Sequence, residues 1–200
     1  MKTVEINIYS FDELSKQAKA KVIENNYEIN VRHEWYDYIY EDFKELNKDF
    51  DIDNIYFSGF YSQGDGAMFE YSGISYELKN EFIDSLDLSP MRKLWLLNNI
   101  YVSGKGSQSG HYYHEKSCSH SIYFEVDNGD LHYDAQPLFY EWLESFADKF
   151  EDFVISKYED QASELYSNLS HSYEYLTSDE SIIESIIAND LEFYEDGTPY

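Results

Sequence analysis

Between Glu125 and Asp196 the chain carries 20 carboxylates, opposed only by Lys149 and Lys157. Whatever this stretch folds into must keep one face in water, because an unpaired ionised carboxylate is far too costly to bury. The excess extends over all 200 residues, with 40 Asp and Glu against 14 Lys and Arg and a formal net charge of −26. A field of that sign repels nucleic acid and anionic membrane surfaces, and it attracts proteins built to hold nucleic acid. The first expectation is therefore a basic protein partner, with no direct nucleic acid and no membrane.

Charge alone would also fit a disordered chain, but the remaining composition argues for a packed core. Hydrophobic residues make up 42% and aromatics 18%, including 21 Tyr, 13 Phe and 3 Trp. No Gly/Ser-rich or Pro-rich linker and no internal repeat divides the sequence, so a single α+β domain over residues 1–200 is expected. The first residues lack an apolar signal region, and no segment has the apolar length to span a bilayer. With one cysteine, Cys118, an intramolecular disulfide is excluded. These features predict a cytoplasmic protein.

Periodicity predicts a curved antiparallel sheet packed with several helices. Val4, Ile6 and Ile8 alternate with polar residues as a first strand. Ser10 and Glu13 have capping-box spacing for a helix bearing Leu14, Ala18 and Val22 on one face. Trp35, Ile39 and Phe43 mark a second helix. Asp53 to Phe60 and Ala67 to Tyr76 read as paired strands, and residues 77–98 as helix broken near Ser89-Pro90. Ile100 to Ser103, Ser109 to Glu115 and Ser119 to Val126 read as extended. An Asn128-Gly129 turn leads to a short strand at Leu131 to Tyr133.

From Pro137 the pattern turns strongly helical. A long acidic helical segment is expected over 137–176, with Leu138, Trp142, Phe146, Phe150 and Phe153 on one stripe. A terminal helix and tail follow over 178–200, announced by Thr177 and Glu180 and carrying Ile182, Ile183, Ile186 and Ile187. Opposite the stripe lie Glu141, Glu144, Asp148, Glu151, Asp152 and Glu159, a face roughly 27 Å long. A plain solvated face would interleave Lys with Glu, since like charges at i,i+4 destabilise a helix. The density approaches that of a phosphate track, one charge about every 3.4 Å along a strand of duplex. These six carboxylates are the expected partner-binding residues.

Signals for chemistry are weaker. His111, His114, Cys118 and His120 crowd one segment, but their spacing fits no standard zinc module, so no metal site is assigned. Structural or surface histidines and a polar binding site both remain open. The segment Ser58 to Ala67 holds glycines at 59, 64 and 66 that would allow close backbone approach to a phosphate. It lacks the Gly-Lys-Ser/Thr of a P-loop, and Asp65 would oppose an anion. A structural strand–turn–strand element is the competing account. Ser62, Gln63, Asp65, His111, His114 and His120 form the possible ligand-binding set. Asp127, Asn128 and Asp130 lack the rest of a calcium loop. No pattern of an enzyme or of a cofactor site emerges.

The stretches Tyr9 to Ser15, Glu34 to Asp42, Ile55 to Gly66, Ser109 to His114 and Tyr173 to Glu180 together resemble a family of small acidic proteins from bacteriophages and mobile elements, some of them labelled antitoxin-like. Where the familiar pattern continues with a small residue or Cys before Phe-Glu-Gly, this chain has Met68-Phe69-Glu70-Tyr71. The resemblance implies an inhibitor of a host defence system, of anti-CRISPR or anti-restriction type. Such a protein would bind, in the manner of a DNA mimic, a basic host protein such as a nuclease or another nucleic-acid-binding defence subunit. A nucleotide- or metal-binding protein and an antitoxin against a basic toxin are the alternatives.

Overall fold

The structure, a computed structural model, describes residues 5–127 and 136–200, with 136–139 as backbone only. It is α+β: among the described residues there are six α-helices, a four-stranded antiparallel sheet and a two-stranded one. The chain divides into two compact units, Met1–Tyr38 with Asn168–Tyr200, and Ile39–Ser167.

In the first unit, β1 (Tyr9–Ser10) pairs antiparallel with β6 (Glu192–Phe193), and α1 (Lys16–Asn25) and α6 (Asp179–Ala188) supply the helices. Of the expected first strand, Val4 lies outside the described residues and 5–8 carry no regular structure, which leaves a strand of Tyr9 and Ser10. The capping box is present, with the Ser10 amide and hydroxyl both donating to Glu13 Oε2 at 2.9 Å. It caps only a 3-10 turn, Phe11–Glu13; α1 has its own N-cap in Ser15, whose Oγ accepts from the Ala18 amide at 3.2 Å. Likewise α6 is capped by Ser178 rather than Thr177, whose hydroxyl instead donates back to the Tyr173 carbonyl. A Ser or Thr can do either, and the residue with extended backbone becomes the cap.

The core of this unit is largely aliphatic: Leu14, Ala18, Val22, Ile182 and Ile186, closed by Phe11 and Phe193. Ile187, expected inside, is 49% exposed, because α6 turns only one stripe inward. The acidic tail is ordered. Gly197, at φ +81°, lies so close to α1 that a Cβ there would meet the Ala18 carbonyl oxygen at 2.8 Å, and the Tyr200 amide donates to the Glu192 carbonyl.

The second unit holds α2 (Asp37–Leu46) from Ile39 onward, then β2 (Phe50–Ser58), β3 (Gly66–Ile74), α3 (Tyr76–Ser85), α4 (Pro90–Asn99), β4 (Ile100–Gln108) and β5 (Cys118–Val126). The strands lie in the order β2-β3-β4-β5, every neighbour antiparallel. The helical break at Ser89-Pro90 is real, with Pro90 opening α4 where its missing N–H costs nothing. One expectation fails: β4 runs unbroken to Gln108, whereas residues 109–114 form a loop. Gly106 lets it pass, since a Cβ there would strike the ring of Tyr71 on β3. The Asn128-Gly129 turn and the strand at Leu131 to Tyr133 lie outside the described residues.

Helix α5 (Gln136–Leu176) begins in this unit and ends in the first. Its buried stripe is Phe146, Phe150, Val154, Tyr158, Ala162, Leu165 and Leu169. Of the expected stripe, Phe146 and Phe150 are buried, Trp142 is 39% exposed and Phe153 half-buried, and the side chain of Leu138 lies outside the described residues. Repeated i+4 steps drift about 40° per turn, so over 41 residues the buried side winds round the helix. The rings of Phe82 on α3, Phe50, Phe69 and Tyr71 on the sheet, and Phe150 and Tyr158 on α5 build an aromatic core in mostly tilted and edge-on contact.

Candidate functional site

Two features of the second unit hold the residues singled out by sequence. On α5, Glu141, Glu144, Asp148, Glu151 and Asp152 are exposed and Glu159 is half-buried. At about 100° per residue all six fall within an arc of roughly 100°. Asp160 and Glu164 are exposed too, but they project outside that arc. Lys157 forms an ion pair with Glu81 of α3 at 2.6 Å, and its Nζ lies 5.7 Å from the centroid of the Phe153 ring, so its charge is committed elsewhere. The described ion pairs, Lys21–Asp196 and Lys157–Glu81, leave the six carboxylates out, and so does the His114–Glu115 contact.

The helix tolerates this because burial outweighs repulsion. Like-charge pairs such as Glu144/Asp148 and Asp148/Asp152 each cost roughly 0.2–0.5 kcal/mol. Burying one large side chain of the Phe146–Phe150–Val154–Tyr158 stripe returns about 1.5–3 kcal/mol. The aromatic core therefore holds in place an anionic face that could not sustain a helix by itself.

The second feature is the junction of the glycine and histidine segments, which the fold does bring together. A Cβ on Gly66 would strike His114, and one on Gly64, at φ +93°, would touch the Tyr112 ring at 3.3 Å. Tyr56 stacks on Tyr113 at 5.1 Å with an 11° interplanar angle. The organising residue is Glu70, which belongs to neither segment: it accepts from the Gln108 amide and Asn54 Nδ2 at 3.0 Å and from the Tyr56 hydroxyl at 3.2 Å. Those bonds, the Gln108 amide first, hold its carboxyl below the ordinary range. The sequence signal was present in Phe69-Glu70-Tyr71, a lone acid between core aromatics.

Inside the glycine turn the amides of Tyr61 and Ser62 donate to Asp65 Oδ2 at 3.0 and 2.7 Å. Those are the donors a phosphate would need, and the chain's own carboxylate occupies them. Ser62 and Gln63 are exposed at the tip. His111 is exposed, and His114 accepts at Nδ1 from the Lys116 amide at 3.1 Å.

His120 belongs to a different environment. Its Nδ1 lies 2.9 Å from the Tyr71 hydroxyl and 4.0 Å from Cys118 Sγ, and its ring meets Tyr158 edge-on at 4.7 Å. Burial lowers its pKa and pushes the Cys118 thiol up to about 11. Among the described residues no group of three or more His, Cys, Asp or Glu converges as a metal site would require.

A family model covers residues 35–179, which takes in the acidic face, the junction and the aromatic core. The chain belongs to that family, described as Domain of unknown function (DUF8835). The match to DUF8835 leaves out α1 and nearly all of α6. No curated protein and no solved structure matches the chain. Among the described residues no helix is long and apolar enough to cross a membrane.

Proposed function

We propose that this protein is an inhibitor that docks the acidic face of α5 onto the nucleic-acid-binding surface of a basic protein. The partner class is a nuclease or another nucleic-acid-binding subunit of a host defence system, as the likeness to small acidic phage proteins implies. The observation that carries the reading is the placement of Glu141, Glu144, Asp148, Glu151, Asp152 and Glu159 within one arc of one helix, outside every described ion pair. A surface of that kind raises the association rate with a basic cleft and competes with the phosphates that cleft normally holds.

The test is affinity capture at low salt followed by elution on a salt gradient, with the captured protein then assayed for nucleic-acid binding. The reading requires a basic partner that elutes at moderate salt and is displaced from its nucleic acid by this chain. Reversal of three charges in Glu144→Lys/Asp148→Lys/Glu151→Lys should lower that affinity at least a hundredfold while the chain stays folded. Affinity unchanged by the reversal would remove α5 from the interface.

A further inference from the structure

The tip where the glycine turn meets the histidine loop stands apart from the rest of this chain in charge. The sequence is 27% charged, yet in residues 55–66 and 106–114 Asp65 is the one Asp, Glu, Lys or Arg. Its carboxylate accepts from the Tyr61 and Ser62 amides, so even that charge is engaged inside the turn. Outward the tip presents Tyr61, 75% exposed, and Tyr112, 62% exposed, with the exposed side chains of Ser62, Gln63 and His111 between and beside them in sequence. Two rings left in water on adjoining loops are an unused contact surface, since a covered tyrosine buries roughly 150–250 Å².

The tip is held from below. The Tyr166 hydroxyl on α5 donates to the Gly59 carbonyl at 3.4 Å, and its ring stacks on Phe60 at 5.7 Å. The Tyr112 ring lies against Gly64, which has no Cβ to displace it. The Tyr56–Tyr113 stack and the bond from the Gln108 amide to Glu70 fix the other loop. All of these residues belong to the second unit, at the opposite end of β5 from Asp127. A surface fixed in advance loses little entropy when a ligand arrives.

The exposed groups select a ligand class. A hydroxyl, a carboxamide and a neutral imidazole each both donate and accept hydrogen bonds. Ionised phosphates and carboxylates only accept and ammonium groups only donate, so a charged ligand would use half of what this surface offers. An anion would also be repelled by the net charge of −26. A sugar hydroxyl both donates and accepts, and the C–H face of a pyranose is an apolar platform that matches a tyrosine ring. We infer that the tip is a binding site for a neutral oligosaccharide. Tyr61 and Tyr112 are its stacking platforms, and Ser62, Gln63 and His111 meet the sugar hydroxyls. Rigid aromatic area with adaptable polar neighbours is an economical recognition surface, and this one does not require the acidic face of α5.

The experiment is an amide NMR titration of the isotope-labelled full chain with maltoheptaose and with cellohexaose. Hexagalacturonate serves as the anionic control and an uncharged Gly/Ser peptide of similar size as the peptide control. A shallow site predicts saturable binding of at least one of the two glycans with a Kd of about 1 mM, shifting the amides of residues 61–64 and 110–112. Tyr61→Ala/Tyr112→Ala should weaken that binding about tenfold or more, whereas Tyr61→Phe/Tyr112→Phe should retain it, because the ring face carries the contact. Both pairs replace exposed side chains, and circular dichroism checks that they fold. Glu144→Lys/Asp148→Lys/Glu151→Lys should leave glycan binding unchanged, so this site and the acidic face fail separately. Absence of saturable binding to either glycan, equal binding of the anionic or the peptide control, or binding indifferent to the Ala pair would each overturn the proposal.

Discussion

The two units solve the same problem with different side chains. The core of the first unit is an aliphatic seam of Leu14, Val22, Ile182 and Ile186; its helix caps Ser15 and Ser178 are settled locally, while Asn30 reaches across the sequence to Leu176 and Ser181. The core of the second is aromatic, and its hydroxyls and imidazole must find partners far away in sequence. Tyr158 on α5 both donates to the Phe69 carbonyl at 2.9 Å and accepts from the Phe69 amide at 3.1 Å. An aliphatic seam needs only the right period, whereas an aromatic core with polar atoms also fixes register, because each buried hydroxyl is costly until it meets one particular group. That added definition falls in the unit that carries both candidate features.

The largest effect should come from removing both ring and hydroxyl. Tyr158→Ala is expected to destabilise by about 3–5 kcal/mol and Ile186→Ala, its aliphatic counterpart, by about 2–4 kcal/mol, both read from denaturant unfolding. The contrast sharpens with Tyr158→Phe, which keeps the ring but strands the Phe69 amide and carbonyl at a cost of about 1–3 kcal/mol. Wild-type stability in Tyr158→Phe would show that packing alone defines the aromatic core.

In the first unit the matching polar probe is Asn30. Its Nδ2 donates to the Leu176 carbonyl and Ser181 Oγ, and its Oδ1 accepts from Ser185 Oγ at 2.6 Å. Asn30→Ala should cost about 1–2 kcal/mol.

Acid should test the aromatic unit through two groups whose pKa falls on folding. His120 is kept neutral by burial, so its contribution is complete above its ordinary value of 6.5 and is lost as the pH drops toward the lower folded value. Glu70, held ionised chiefly by the Gln108 amide, contributes above its ordinary 4.5 and loses that contribution as the pH falls through its lowered value. Stability measured against pH should therefore decline in two stages, and His120→Gln should flatten the upper one while leaving the lower. The smallest effect concerns Cys118, whose raised thiol pKa should make its labelling in the folded protein far slower than in denaturant.

What the sequence revealed follows the same division. Leu14, Ala18 and Val22, Ile39 and Phe43, and the Ser89-Pro90 break were legible because each is a local repeat or a local stop. The cap assignments slipped because Ser10 and Ser15, or Thr177 and Ser178, offer equivalent oxygens that only backbone geometry separates. The α5 stripe was misplaced after Phe150 because the reading left the four-residue steps for Phe153, whereas the buried side keeps them through Val154, Tyr158 and Ala162. Glu70 stood out only as a lone acid between core aromatics; its meeting with Gln108 and the placement of His120 beside Tyr71 and Tyr158 could not be read, since each depends on elements meeting across tens of residues. The meeting of Gly66 with His114 was likewise invisible, although both segments drew attention.

The exposure of Trp142 has an optical consequence. Its indole is part of a shallow cleft with Leu86, Leu88, Phe146 and Lys149, and Glu141 is its neighbour in the chain. An excited indole beside so many negative charges becomes a voltmeter for the surface: iodide should quench it poorly and caesium well, with the gap closing as salt rises. A partner that covers the helix would shield the same fluorophore from both ions, so its arrival could be followed by light emission without any label.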